Sequence, residues 1–150
     1  MEIEKAIKLS TELLDLHNLK SWRVQINPRI KRALGRCKFR PMVIELGEEY
    51  VLKNDEVQVK LTILHEIAHC LVGAGNGHNW KWKMKLKEIG GSYVRDLENL
   101  VVPDKKWKGR CPSCGYEYQS YVRRNGFCPH CVRKAGKFSQ EFLIQYTKIN

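Results

Sequence analysis

The sequence lacks any apolar run approaching the roughly eighteen residues that mark a membrane-spanning helix. Its N-terminus, Met1-Glu2-Ile3-Glu4-Lys5, lacks the basic start, apolar stretch and small-residue cleavage site of a secretory signal. Low-complexity tracts are missing, and nothing repeats apart from two short cysteine knuckles. Together these absences argue against membrane helices and repeat arrays, and set a cytosolic protein as the expectation. Acidic residues are scarce. Against 27 Lys and Arg stand 16 Asp and Glu, which leaves a formal charge of +11 and a pI near 9.5. Such a field favours polyanions, with nucleic acid foremost. The rest is the composition of a folded chain: 43% hydrophobic residues over 150 positions supply one modest core and a small second module.

Cysteine is present in a telling arrangement. Cys111 and Cys114, then Cys128 and Cys131, form two Cys-Pro-x-Cys pairs separated by 13 residues. Each pair suits one side of a tetrahedral zinc, which makes this a structural zinc site and the tail a zinc ribbon. Two disulfides would instead require export, which no other feature supports. His130 lies inside the second knuckle, but four thiolates already fill a site, so it is expected at the surface. Cys37 and Cys70 stand alone in the sequence and are expected to pack as small apolar groups.

The chain divides into three stretches. In the first, Ile3, Ala6, Ile7, Leu13, Leu14 and Leu16 recur at helical steps and predict a helix over about the first seventeen residues. Trp22–Ile26, Leu34–Phe39 and Met42–Leu46 follow, with Asn27-Pro28 and Arg40-Pro41 as punctuation, and suggest a small three-stranded sheet. In the second stretch, Asp55 and Gln58 form a capping pair that opens a helix over about 56–72, closed by Gly73, Gly75 and Gly77. Val57, Leu61, Leu64, Ala68 and Leu71 are its expected apolar face. The segment Trp80–Lys87 alternates apolar and basic residues, which favours a strand. Its Lys, Met and Leu residues and the Gly90-Gly91 stop favour a helix, which is the reading adopted. The third stretch starts with a basic linker after Pro103. A strand over Tyr116–Val122, a hairpin turn at Asn125-Gly126 and another strand within Phe138–Tyr146 are expected. The domain division is therefore 1–102 and 103–150.

The chemistry concentrates in His65-Glu66-Ile67-Ala68-His69. Two histidines four apart share one helix face and can grip one Zn²⁺. Glu66 is rotated from its neighbour by about 100° and can serve a water without ligating the metal. The helix is otherwise apolar, so this polar set calls for a partner. An open catalytic site takes a third protein ligand. His78, returned by the glycine turn, is one candidate; Glu88 is the other. The sequence identifies no transition-state stabiliser; Tyr50 and Tyr93 are guesses without a specific argument for either.

These motifs resemble the SprT-like metalloprotease family, which includes the Spartan DNA–protein crosslink proteases. The resemblance is carried by Gly35-Arg36-Cys37 with Phe39-Arg40-Pro41, the strand Val43–Leu46, the His65–His69 helix, Gly77-His78 with Trp80–Met84, and the ribbon-like tail. It implies an α+β zincin-type domain followed by a zinc ribbon. It also implies catalytic zinc on His65, His69 and His78, Glu66 as general base, and a helix after His78. Activity on proteins bound or crosslinked to DNA, and a place in DNA repair, come from the resemblance alone. The chain is short beside eukaryotic Spartan and lacks long recruitment tails, which points to a bacterial or phage source; a eukaryotic copy would be nuclear.

Residues 104–137 carry nine Lys and Arg against two acids. Arg123, Arg124, Lys105, Lys106 and Lys108 are the candidate nucleic-acid contacts. Tyr116, Tyr118, Tyr121 and Phe127 either stack on bases or form the ribbon's own core. Two functions follow: a monomeric, DNA-associated zinc endopeptidase, or a non-proteolytic DNA-binding or regulatory protein with a vestigial metal site. An intact Glu66 favours the first, because structural zinc needs no base.

Overall fold

The structure is a computed structural model that describes residues 1–92 and 100–149. Two compact units divide the chain, Met1–Pro103 and Asp104–Asn150. No helix among the described residues is long and apolar enough to cross a membrane.

The first unit opens with helix α1, Ile3–Leu16. Its buried face carries Ala6, Ser10, Leu13 and Leu14. The Ser10 hydroxyl donates to the Ala6 carbonyl at 2.6 Å, so a buried polar group is satisfied within the helix. Ile7 and Leu16, expected on this face, are exposed. The packed stripe passes through Ser10, a polar residue that hydrophobic periodicity does not count.

Strands β1 (Arg23–Asn27), β2 (Gly35–Phe39) and β3 (Met42–Gly47) form one sheet in the order β1-β3-β2. β1 runs parallel to β3 and β2 antiparallel to it. β3 is therefore central, and Val43 through Gly47 are all buried. β2 is an edge strand. Helix α2, Glu48–Lys53, follows β3 directly and was not foreseen. Six residues are too few to reveal a helical period, although Glu48 and Glu49 in the first turn and Lys53 in the last suit the helix dipole.

Helix α3, Glu56–Val72, begins at a complete capping box. The Gln58 N–H donates to Asp55 Oδ1 and the Asp55 N–H to Gln58 Oε1, both at 2.9 Å. Such a cap stabilises a helix by about 1 kcal/mol. The buried side includes Val59, Thr62, Ile63, Glu66 and Ile67, whereas Val57 is exposed. The expected face was too narrow and offset, because α3 packs against α1, β2, β3 and α4 rather than against one layer. Helix α4, Trp80–Glu88, settles the ambiguous segment. Trp82 and Leu86, four apart, are buried, while Trp80 and Met84 face outward. The period-two alternation thus came from apolar residues on two opposite helix faces.

In the second unit, β4 (Trp107–Arg110), β5 (Glu117–Ser120) and β6 (Gln145–Lys148) form an antiparallel sheet ordered β5-β4-β6. Helix α5 covers Pro129–Ala135. The core is Cys111, Cys128, Cys131, Phe142 and Ile144, with Tyr118, Phe127 and Tyr146 packed against it. The segment read as a basic linker contains β4. The expected hairpin at Asn125-Gly126 is absent: β5 pairs with β4 across the first knuckle, and neither Asn125 nor Gly126 has the positive φ that a tight hairpin turn demands. Phe138–Tyr146, expected to hold one strand, instead contains a 3₁₀ turn at Gln140–Phe142 before β6.

Candidate active site

The first site is assembled by α3, the turn after it, and α4. His65 and His69 lie one turn apart on α3. Gly73 caps the helix at φ 85°, its N–H bonded to the His69 carbonyl at 3.1 Å. Gly75 and Gly77 also have positive φ, which a side chain would strain. Asn76 Nδ2 donates to the Val72 and Gly73 carbonyls at 2.7 and 3.2 Å, so the helix end supports the turn. Asn79 Oδ1 accepts from the Trp82 N–H at 3.1 Å and caps α4. The chain between these two caps carries His78 back over α3.

His78 Nε2 then lies 3.1 Å from His65 Nε2 and 3.2 Å from His69 Nε2. Tetrahedral ligands at the usual Zn–N length would stand about 3.3 Å apart. The three nitrogens therefore fit one zinc ion, with a fourth direction left to water or substrate. Glu88 does not join them: its carboxylate pairs with Lys85 at 2.6 Å and is mostly exposed. Beneath the imidazoles lies Trp82, fully buried, with ring centres 4.6, 5.1 and 4.4 Å from those of His65, His69 and His78. Burial, and then the neighbouring His78, draw the His69 pKa down to about 4. Its imidazole is thus neutral near pH 7, the form that ligates metal.

Glu66 leaves the same helix toward β2 and is 6% exposed. Burial pushes its pKa up to about 7, and the backbone N–H of Cys37 on β2 partly offsets this by bonding its carboxylate. Gly35, also on β2, makes that approach possible. A Cβ there would stand 3.1 Å from Glu66 Cγ and 3.2 Å from Oε1. Trp82, Gly35 and the Cys37 amide escaped the reading of the sequence as site residues. Gly35 and Trp82 lie within the family motifs, yet nothing local to them names a role. Tyr50 is fully buried, and its hydroxyl engages the Gln58 carbonyl and the Thr62 hydroxyl, at 2.8 and 2.7 Å. It is a core residue rather than a transition-state stabiliser. Tyr93 lies outside the described residues.

The second site belongs to the other unit. The sulfurs of Cys111, Cys114, Cys128 and Cys131 all lie within 4.8 Å of one another. Cys111 and Cys131 are 3.8 Å apart and Cys114 and Cys128 3.6 Å. The edge of a ZnS₄ tetrahedron is about 3.8 Å, so this donor set also fits zinc, with no position left over. Burial opposes a thiolate at Cys111, but the Cys114 and Ser113 amides donate to its sulfur and bring its pKa down to about 7. His130 is exposed and packs against Tyr116, away from the ligand set.

Among the nucleic-acid candidates, Arg123 lies with its guanidinium 4.7 Å from the Trp107 ring centre. Both line a cavity of about 670 Å³ with Tyr121, Val122, Asn125 and Tyr146. Arg124 borders a neighbouring cavity beside Tyr116 and Tyr118. Lys105 and Lys106 are exposed. Lys108 is paired with Glu117 at 2.7 Å.

No curated protein sequence matches the chain. Among solved structures, the metallopeptidase zymogen jannalysin of Methanocaldococcus jannaschii is 25% identical over 55% of this chain and 79% of its own, with a TM-score of 0.49. The metallopeptidase zymogen abylysin of Pyrococcus abyssi is 21% identical over 63% of this chain and 89% of its own, at a TM-score of 0.51. The second likeness speaks for a shared fold. The SprT-like family model matches residues 3–106, which takes in the sheet, the His65–His69 helix and His78. With that span covering most of the sequence, the chain belongs to the SprT-like family and is a metalloprotease by that membership.

Proposed function

We propose that this SprT-like metalloprotease is a zinc-dependent endopeptidase acting on proteins bound or crosslinked to DNA, with Glu66 as general base. The convergence of three histidine Nε2 atoms, with a buried carboxylate at the position after His65 on the same helix, carries this reading. His65, His69 and His78 hold the catalytic ion. Once bound, zinc supplies the Lewis acid that polarises the scissile carbonyl and acidifies a water. Glu66 takes a proton from that water and passes it to the leaving amine. A carboxyl poised near neutrality suits both transfers. The absence of a side chain at Gly35 leaves room for the Glu66 side chain against β2. β2, at the edge of its sheet, offers an extended peptide a strand to pair with beside the site.

The DNA part of the proposal is supported by charge and by the ribbon. The net charge of +11 draws the chain to phosphates. Arg123 beside Trp107 presents a cation and an aromatic face to one cavity, the pairing that stacks on unpaired bases. Cys111, Cys114, Cys128 and Cys131 hold a second, structural zinc. The protein works as a monomer in a reducing compartment, the cytoplasm of a bacterial or phage-infected cell.

The test is cleavage of a protein substrate by the zinc-loaded chain, with and without single-stranded DNA. Cleavage should rise with DNA and fall by about 10²–10⁴-fold in Glu66→Gln. Wild type that leaves the substrate intact under every DNA condition, while binding DNA, would make this a DNA-binding zinc protein with a vestigial site.

A further inference from the structure

Cys37 and Cys70 are separated by 33 positions in sequence and were expected to be isolated apolar fillers. The fold brings their sulfurs to 3.2 Å. Cys37 sits at the middle of edge strand β2, and Cys70 follows His69 on α3. Both are partly exposed, so a small reagent can reach them. Neither belongs to a group of three or more metal-ligating side chains among the described residues, which argues against a third metal site. The pair also adjoins the catalytic apparatus: Cys70 follows His69 on α3, and Cys37 lies two positions from Gly35, where a Cβ would stand 3.1 Å from Glu66 Cγ.

We propose that Cys37 and Cys70 form a reversible, oxidant-sensitive dithiol that closes to an intramolecular disulfide and slows the enzyme. The oxidant is a hydroperoxide, with hydrogen peroxide as the simplest case. One cysteine sulfur attacks a peroxide oxygen, the O–O bond breaks, and a sulfenic acid forms as one water leaves. The other sulfur then attacks the sulfenic sulfur, the S–O bond breaks, and the oxygen leaves as a second water. Two thiols are oxidised, one peroxide is reduced to two waters, and the S–S bond is the product. A dithiol reductant reverses it by exchange.

The consequence for the site follows from geometry. A disulfide is about 2.05 Å long, so closure draws the two sulfurs together by roughly 1 Å. Whatever part of that closure side-chain rotation does not absorb falls on the packing of β2 against α3. Gly35 rides on that strand and Glu66 on that helix, so the strain of closure bears on the close approach between them. A misplacement of about 1 Å can cost on the order of 10²-fold in rate. The chemical step does not depend on peptidase activity; only the slowing rests on the endopeptidase reading.

The experiment treats the zinc-loaded full chain with stoichiometric hydrogen peroxide and maps it by mass spectrometry after alkylation. A Cys37–Cys70 cross-linked peptide, lighter by two hydrogens and released by dithiothreitol, is expected. Cys70→Ser should lose the cross-link, keep basal cleavage and resist peroxide, and Cys37→Ser should equally lose the cross-link. Separate sulfinic acids on the two residues, or prior oxidation of the ribbon cysteines, would overturn the proposal. A cross-linked chain that cleaves at the reduced chain's rate would overturn the slowing. If no cleavage is seen in either state, the endopeptidase reading fails, whereas the cross-link still decides the dithiol.

Discussion

The two candidate metal sites are built in opposite ways. In the ribbon, four sulfurs at tetrahedral spacing close the coordination sphere, and three of the four cysteines are buried as part of the core they organise. In the first unit, three imidazoles leave one direction open, and a core of aliphatic side chains, Trp82 and Tyr50 packs without needing an ion. One site is expected to hold the fold together; in the other, the fold holds the site. A small unit with five residues at its centre cannot bury enough apolar surface alone, whereas the larger unit can spare residues for chemistry.

The sharpest way to break this contrast is Cys111→Ser. Structural zinc contributes about 10–16 kcal/mol of binding free energy to folding, so the ribbon should unfold while α3 keeps its protection. Hydrogen exchange with metal counting checks this, and an intact ribbon lacking zinc would refute it. His78→Ala comes next. It should lower affinity at the histidine site by more than about 100-fold and leave the fold standing, whereas Glu88→Ala should change neither. Loss of metal from Glu88→Ala instead would mean that the third ligand is misassigned.

A smaller effect separates the metal-free proteins by pH. The Glu66 pKa is raised in the fold from 4.5 to about 7. Its favourable contribution is therefore full below about 4.5 and lost as pH rises through about 7. Metal-free Glu66→Gln should accordingly be more stable than wild type at pH 8 by up to about 3 kcal/mol, with the difference vanishing near pH 4. His69 works the other way. Its stability contribution is present above about 6.5 and lost as pH falls through about 4, but it is common to both proteins and cancels. Denaturant titrations across pH give the comparison. The smallest expected effect is that of Gly35→Ala, at about 1–3 kcal/mol of overpacking against Glu66. Cleavage should fall with metal content unchanged; a loss of metal instead would place the damage at the histidines.

What could be read from the sequence was what sits close together along the chain. Asp55 and Gln58 announce α3, Gly73 ends it, and the glycines after it explain how His78 can return. The family motifs favour His78 over Glu88 before any geometry. What escaped depends on contacts between elements or on missing side chains. Gly35 matters because of Glu66 on another element, and Cys37 meets Cys70 only through the packing of β2 on α3. β4 was hidden because Gly109 holds its inward position; a Cβ there would stand 3.0 Å from Ile144 and Tyr118. Helix α5 did leave a signal: Pro129 opens it and Gly136 closes it in the left-handed conformation, a pairing masked by the metal reading of the same residues.

The turn from Gly73 to Asn79 has one more consequence. It tethers the third imidazole to the helix that bears the other two, so the three nitrogens act as a single multidentate chelator. When one bond to an ion opens, the tether keeps the freed nitrogen at high local concentration, and rebinding competes with escape. Exchange of a bound ion should then be slow for a site open to solvent, and a longer or looser turn should shorten its residence time.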